Sequence, residues 1–373
     1  MADARIKPIV MPKWGLMMTE GKVTSWRKNP GDTVAVGDEI LEVETDKIAS
    51  VVEASDDGKL RRVLGEVDAI YPVKALIGVL AEDDVPDEEI DAYVASYVTP
   101  AAEGRGGEAA AGPQYQFIET AAGRIRYAKR GDGGEAVLLV HGFGGDLDNW
   151  LFNLDALAEK ATVYALDLPG HGQSSKTIAD PSLAGLSHAL VGLMDAVGIA
   201  DAHIVGHSVG GAAAMQTALD APDRVKSLTL ICSAGLGPEI NGAYIDGYVK
   251  ATSRRDLRPI LEQLFADPKL VSRQLVDDAL KYKRLDGVAE ALRSLQANLF
   301  EDGKQRSNLA PVLQRIACPV LLIWGEQDNI IPASHAHALA DRARAEILVG
   351  AGHMVQMEKA GRVNELILAH ILA

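Results

Sequence analysis

The chain of 373 residues carries 52 acidic against 37 basic side chains, a formal charge of −15, and 47% of it is hydrophobic. That size and composition suit a globular protein with more than one core, and the negative balance excludes nucleic acid and anionic membrane surfaces as natural partners. The start, MADARIKPIV, lacks the apolar stretch of a signal peptide, and no run approaches the roughly 18 apolar residues of a membrane span, so a cytoplasmic protein is expected.

Residues 1–82 alternate short β-type runs with turn signals such as NPGD and SDDG, and they repeat themselves. EGKVTSW, starting at 20, resembles DGKLRRV, starting at 57; DTVAVGDEILEV, starting at 32, resembles DAIYPVKALIGV, starting at 68. Two such halves predict a small all-β sandwich with internal two-fold pseudosymmetry. ETDKI then falls between two strands, which places Lys47 at an accessible hairpin tip. On its own a lysine there is a solvated turn residue. The unit, however, contains neither histidine nor cysteine, so any chemistry it performs needs a borrowed group.

The stretches MPKWGLMMTEGKVTSW and NPGDTVAVGDEILEVETDK, with the repeated second half, resemble a lipoyl domain over its full length. The resemblance implies a barrel-sandwich fold and lipoic acid in amide linkage on Lys47, added by a lipoate-attaching enzyme. Biotinyl domains usually flank their lysine with methionines, whereas here the neighbours are Asp46 and Ile48.

Residues 83–113 read as a linker with one short amphipathic helix through Ile90, Val94 and Val98, followed by TPAAEGRGGEAAAGP, which is too poor in large apolar residues to fold. From residue 114 apolar strands alternate with helical segments, the pattern of a parallel sheet covered by helices. Six strands are predicted, in AVLLVHG, ATVYALDL, AHIVGHS, VKSLTLICS, PVLLIWGEQD and AEILVGAGH. Cys232 and Cys318 read as buried strand positions rather than a disulfide pair or metal ligands, and no metal is expected.

Gly206-His207-Ser208-Val209-Gly210 is a G-x-S-x-G string between a strand and a helix-like segment, which predicts a strained turn presenting the Ser208 hydroxyl. A serine needs a histidine to take its proton and a carboxylate to orient that histidine. Asp328 and His353, each just after a later strand, supply both in the order this architecture requires. Alone, Asp328 is a turn former and His353 a loop histidine; together with Ser208 they form a candidate triad. LLVHGFGG ends another strand, so the amides of Phe143 and Val209 are the candidate oxyanion donors. His141 belongs to that strand end, and His207 is expected to point away from the nucleophile.

With DLPGHGQS these segments resemble the α/β-hydrolase superfamily across residues 115–373, and residues 236–310 resemble its helical cap. A lipoyl unit followed by such a domain resembles the dihydrolipoamide acetyltransferase components of bacterial acetoin-cleaving systems. That resemblance implies acetyl transfer from the Lys47 arm to coenzyme A. It also implies a thiamine-diphosphate-dependent acetoin-cleaving component and a dihydrolipoamide dehydrogenase as partners. The H-x-x-x-D-G motif of ordinary 2-oxo acid dehydrogenase acyltransferases is absent, its nearest string being His337-Ala-Leu-Ala-Asp341-Arg342, read as a helix surface. Arg254, Arg255 and Arg258 are candidate phosphate contacts, though a solvated helix face explains them equally. A serine hydrolase whose lipoyl unit serves only for location remains the alternative, and the oligomeric state stays open.

Overall fold

The computed structural model describes residues 5–12, 18–45, 49–99, 115–338 and 343–373. The chain divides into two compact units, Met1–Pro113 and Gln114–Ala373.

The first unit has strands β1 (Ile6–Val10), β2 (Glu20–Trp26), β3 (Thr33–Val34), β4 (Glu39–Glu44), β5 (Ala49–Glu53), β6 (Gly58–Val63), β7 (Ile70–Pro72) and β8 (Leu76–Ala81). They form two four-stranded antiparallel sheets, β1-β8-β6-β3 and β5-β4-β2-β7. Exchanging β1, β8, β6 and β3 for β5, β4, β2 and β7 turns one order into the other, which is the pseudosymmetry that the repeat predicts. Val23, Leu41, Val43, Leu60 and Ile77 from both sheets are fully buried in the shared core. β4 pairs with β5, Glu44 opposite Ala49. Asp46, Lys47 and Ile48, between these strands in sequence, lie outside the described residues.

Helix α1 (Asp87–Ser96) is shorter than predicted and sits on this unit. Ile90 is fully buried beside Ile6, Val79 and Val85, with Tyr93 and Val94 packed against them, while Val98 falls beyond the helix and is 81% exposed. Arg62 Nε donates to Asp91 at 2.8 Å, and the Tyr97 hydroxyl donates to the Lys74 carbonyl at 3.0 Å. An apolar helix face loses less to water when laid on a sheet than when left in a linker, so the body of the unit extends through Tyr97 rather than stopping at residue 82. The Gly- and Ala-rich residues 100–114 lie outside the described residues.

The second unit contains β9 (Tyr115–Thr120), β10 (Gly123–Arg130), β11 (Ala136–Val140), α2 (Leu154–Ala158), β12 (Thr162–Leu166), α3 (Leu183–Val197), β13 (Ala202–His207), α4 (Val209–Asp220) and β14 (Val225–Ile231). There follow α5 (Gly242–Lys250), α6 (Arg254–Leu261), α7 (Arg273–Lys283), α8 (Val288–Leu299), β15 (Phe300–Glu301) and β16 (Lys304–Gln305). β17 (Val320–Gly325), β18 (Arg344–Leu348), α9 (Val355–Glu358) and α10 (Ala360–Ile371) complete it. Eight strands form one sheet in the order β18-β17-β14-β13-β11-β12-β10-β9.

The six predicted strands are the parallel ones, β11 to β14, β17 and β18. The interiors of β11 to β14 and β17 are almost continuously buried, which is why they read as apolar runs, whereas β18, at the sheet edge, has no buried residue. The antiparallel hairpin of β9 and β10 was not anticipated; β9 is an edge strand, largely exposed, without a strong apolar signal. Between β14 and β17 lie α5 to α8 and the β15–β16 hairpin, the expected cap. A bond from the Leu309 amide to the Gly235 carbonyl, 2.7 Å, closes its neck.

The cysteines depart from expectation. Cys232 is fully buried but stands just after β14 with φ of +43°, and Cys318 is only half-buried in the exposed approach to β17, between Ala317 and Pro319. His337 is exposed, and the rest of its string, from 339 to 342, lies outside the described residues. Among the described residues no helix is long and apolar enough to cross a membrane.

Candidate active site

β13 ends at His207 and α4 begins at Val209, so Ser208 alone makes the turn, with φ 53° and ψ −121°. That conformation is costly for a residue with a side chain and has to be held by its surroundings. A Cβ on Gly206 would lie 2.5 Å from the Gly210 carbonyl oxygen, and one on Gly210 would lie 2.4 Å from that of Val140. Both contacts are with backbone, so the glycine spacing is a steric requirement. The Ser208 amide donates to the Ile231 carbonyl at 2.9 Å and its carbonyl accepts from Ala234 at 3.0 Å, tying the turn to the end of β14.

The structure brings His353 and Asp328 together: Nδ1 lies 2.8 Å from Oδ2, and both side chains are out of contact with solvent to within 3%. The other carboxylate oxygen of Asp328 accepts from the Ile330 and Ile331 amides at 2.8 and 3.0 Å. Asp328 is therefore fixed through Oδ1 and presents Oδ2 to the imidazole. Cys232 completes this corner. Its Sγ and the ligand atoms of Asp328 and His353 all lie within 4.8 Å of one another, and burial raises the thiol pKa, keeping it neutral.

Two contacts hold the His353 loop that sequence reasoning did not foresee. His207 bonds the His353 carbonyl through Nε2 at 2.9 Å, with the two rings 4.7 Å apart. Burial depresses the His207 pKa, so its ring is neutral and Nε2–H is the donor. Glu358 accepts from the Gly352 amide and, in the cap, from the Ala266 amide, each at 2.8 Å. Burial pushes its carboxyl up to about 7. No local spacing signals either contact, because the partners lie 146 positions apart in one and 92 in the other.

The end of β11 lies against Ser208, since a Cβ on Gly142 would be 2.9 Å from the Ser208 Cβ. Phe143 follows directly, and Val209 opens α4, where amides have no intrahelical acceptor. His141 braces this loop: Nε2 accepts from the Leu168 amide at 3.0 Å and Nδ1 lies 2.7 Å from the Gly142 carbonyl. Burial lowers its pKa to about 4, so it is a neutral strut. Nearby, buried Asp167 forms an ion pair with Arg126, whose Nη2 donates to Oδ1 at 3.2 Å while Nε lies 2.6 Å from Oδ2, and it accepts from the Leu147 and Gln173 amides at 2.9 and 2.7 Å, fixing the DLPGHGQS segment.

The cap closes over Phe143. The ring of Phe143 meets Tyr248 from α5 at 6.2 Å and Phe300 from β15 at 5.7 Å, both edge to face. Tyr248 and Tyr282 donate to the carbonyls of Gly144 and Gly170, 2.8 and 2.9 Å, and so fasten the cap to the loops after β11 and β12. Of the candidate phosphate contacts, Arg254 pairs with Asp277 and Arg258 with Glu262, on an exposed surface.

Residues 7–80 match the family described as biotin-requiring enzymes, of biotin and lipoyl attachment type, and residues 135–360 match the α/β hydrolase fold. A meta-cleavage product hydrolase of Pseudomonas fluorescens has the fold of the second unit: TM-score 0.63 and 26% identity, over 68% of this chain and 96% of that one. A 2-hydroxy-6-oxononadienedioate/2-hydroxy-6-oxononatrienedioate hydrolase of Burkholderia vietnamiensis is 30% identical over 66% of this chain and 90% of its own length. Two relatives extend over both units. The dihydrolipoyllysine-residue acetyltransferase component of the acetoin cleaving system of Cupriavidus necator is 52% identical, over 98% of this chain and 97% of its own; that of Pseudomonas putida is 48% identical over 99% of each. Combined with a lipoyl-type sandwich and a capped Ser208 elbow, this full-length likeness shows that the chain belongs to the family of dihydrolipoyllysine-residue acetyltransferase components of acetoin-cleaving systems.

Proposed function

We propose that this acetyltransferase moves an acetyl group from a dihydrolipoyl thioester to the thiol of coenzyme A by way of acetyl-Ser208. The observation that carries the reading is the His353–Asp328 pair on a loop bonded to the Ser208 elbow through His207, in a chain that also holds a lipoyl-type unit. Lipoic acid on Lys47 supplies the acetyl group as a thioester, and the antiparallel pairing of β4 and β5 on either side of that lysine fits a hairpin attachment site.

His353 takes the Ser208 proton as the hydroxyl oxygen attacks the thioester carbonyl. The Phe143 and Val209 amides stabilise the resulting oxyanion. The carbon–sulfur bond then breaks, and His353 returns the proton to the leaving thiolate. In the second half His353 takes the proton of the coenzyme A thiol, the sulfur attacks acetyl-Ser208, and the serine regains its proton as the ester breaks. Asp328 holds the imidazole in the required tautomer throughout and carries no proton itself. The cap aromatics Tyr248 and Phe300 shield the acyl-enzyme from water.

In this reading a thiamine-diphosphate-dependent component cleaves acetoin and charges the arm, a dihydrolipoamide dehydrogenase reoxidises it, and a separate enzyme attaches the lipoate. The second reading is hydrolysis, favoured by the likeness of the α/β-hydrolase unit to named hydrolases. Labelled S-acetyldihydrolipoamide, mixed with the full chain with and without coenzyme A, separates the two. Label in acetyl-coenzyme A, lost in Ser208→Ala, is the expected result; free acetate formed at one rate whether or not coenzyme A is present overturns transfer.

A further inference from the structure

The cap contains a cavity of about 480 Å³ between α5, α8 and the β15–β16 turn. It is open to the outside, and at its inner end stands Phe300, 9% exposed. Phe300 also lines a smaller recess together with Val209 and Ala212 of α4, and its ring packs edge on against Phe143. One aromatic ring therefore separates an outer cavity from the nucleophile's own helix.

The charge of the outer cavity selects what can use it. Asp246, Glu301 and Asp302 line it together with Arg293, and two further cations sit on these acids, Lys250 at 3.4 Å from Asp246 and Arg306 at 3.1 Å from Glu301. Gln296 reaches across to Asp246 at 2.6 Å, joining α8 to α5. With its acids balanced by these cations, the cavity offers no net positive field to hold a polyphosphate, while amide and guanidinium donors beside apolar Ile245 and Phe300 suit a neutral, flexible chain with amide and thioester carbonyls.

We propose that this cavity binds the uncharged acyl-carrying arm, a dihydrolipoyl amide, and that Phe300 is the gate it passes to reach Ser208. The inference rests on the transfer reading above and adds the route of the donor: the arm enters between α5 and α8, and the anionic acceptor enters elsewhere. Ala297 on α8 and Ala243 on α5 face the cavity from its two sides, and both are exposed, so enlarging them fills it without disturbing the core.

Binding is read first by calorimetry, with S-acetyldihydrolipoamide titrated into the full-length Ser208→Ala chain prepared without lipoate, so that its own arm does not compete. Adding Ala297→Trp or, independently, Ala243→Trp is expected to weaken binding by about tenfold or more, since the filled cavity no longer buries the ligand. Coenzyme A affinity is expected to stay unchanged. In the chain with Ser208 intact, either tryptophan raises KM for S-acetyldihydrolipoamide while leaving p-nitrophenyl acetate turnover as it was. Unchanged donor binding in both tryptophan variants overturns the proposal even if transfer stands, and so does a selective loss of coenzyme A binding. Failure of the unsubstituted chain to acetylate coenzyme A, with donor binding still lost on filling the cavity, overturns the transfer reading and leaves the binding site.

Discussion

Asp328→Asn is the sharpest perturbation of the site. The asparagine carbonyl can keep accepting from the Ile330 and Ile331 amides at 2.8 and 3.0 Å, so the turn survives. Its NH₂ then faces His353 Nδ1, where Oδ2 stands 2.8 Å away in the parent chain. A donor in that place requires Nδ1 to accept, which moves the ring proton to Nε2 and removes the lone pair that would take the serine proton. The expected loss is about 10⁴-fold in the acylation rate, or about 5 kcal/mol of barrier. The assay is the pre-steady-state burst of p-nitrophenol from p-nitrophenyl acetate, run beside a thermal melt. A melt close to that of the parent with a burst reduced by three to four orders of magnitude, as the tautomer argument requires, is the prediction. Retention of more than about a tenth of the burst rate, on the same scale of magnitudes, would refute the role given to Asp328.

Glu358 has a carboxyl pKa of about 7 in the folded chain against an ordinary 4.5, so the folded state holds a proton that the unfolded state has lost between those values. Stability from this group is therefore full below about 4.5 and falls as pH rises through about 7, by at most about 3 kcal/mol. Glu358→Gln should flatten that slope in denaturant titrations across the same range. It should also weaken the bonds to the Gly352 and Ala266 amides and slow turnover by loosening His353. An unaltered pH slope contradicts the assignment. Lys47→Arg should abolish the lipoyl adduct in the intact mass and end transfer from the chain's own arm, while p-nitrophenyl acetate hydrolysis continues; an adduct that persists places the attachment elsewhere.

The parts that were legible in the sequence are those where backbone constraint or strict periodicity leaves a trace in residue type. Gly206 and Gly210 are demanded by carbonyl oxygens within 2.5 Å, so the elbow is written as glycines. β13, buried on both faces, contains only apolar and small residues apart from His203 and His207, and the repeat of the first unit carries its pseudosymmetry directly. What stayed hidden depends on contacts between distant segments. The bond from His207 to the His353 carbonyl spans 146 positions, and that from Glu358 to Ala266 spans 92. The largely exposed edge strand β9 has no apolar pattern to read. The helix assigned to a linker was moved onto the first unit by one buried residue, Ile90, whose partners lie in other strands. Cys318 failed because an apolar neighbourhood in sequence does not tell a strand from its approach.

Whether Ser208 carries the acetyl group between two thiols is read by rapid-quench mass spectrometry of the peptide that contains it. After mixing the full chain with S-acetyldihydrolipoamide and no acceptor, the account predicts one acetyl group on Ser208, discharged into acetyl-coenzyme A when coenzyme A is added. Acetyl-coenzyme A forming at the normal rate while that peptide is never acetylated, or forming equally well in Ser208→Ala, would contradict it.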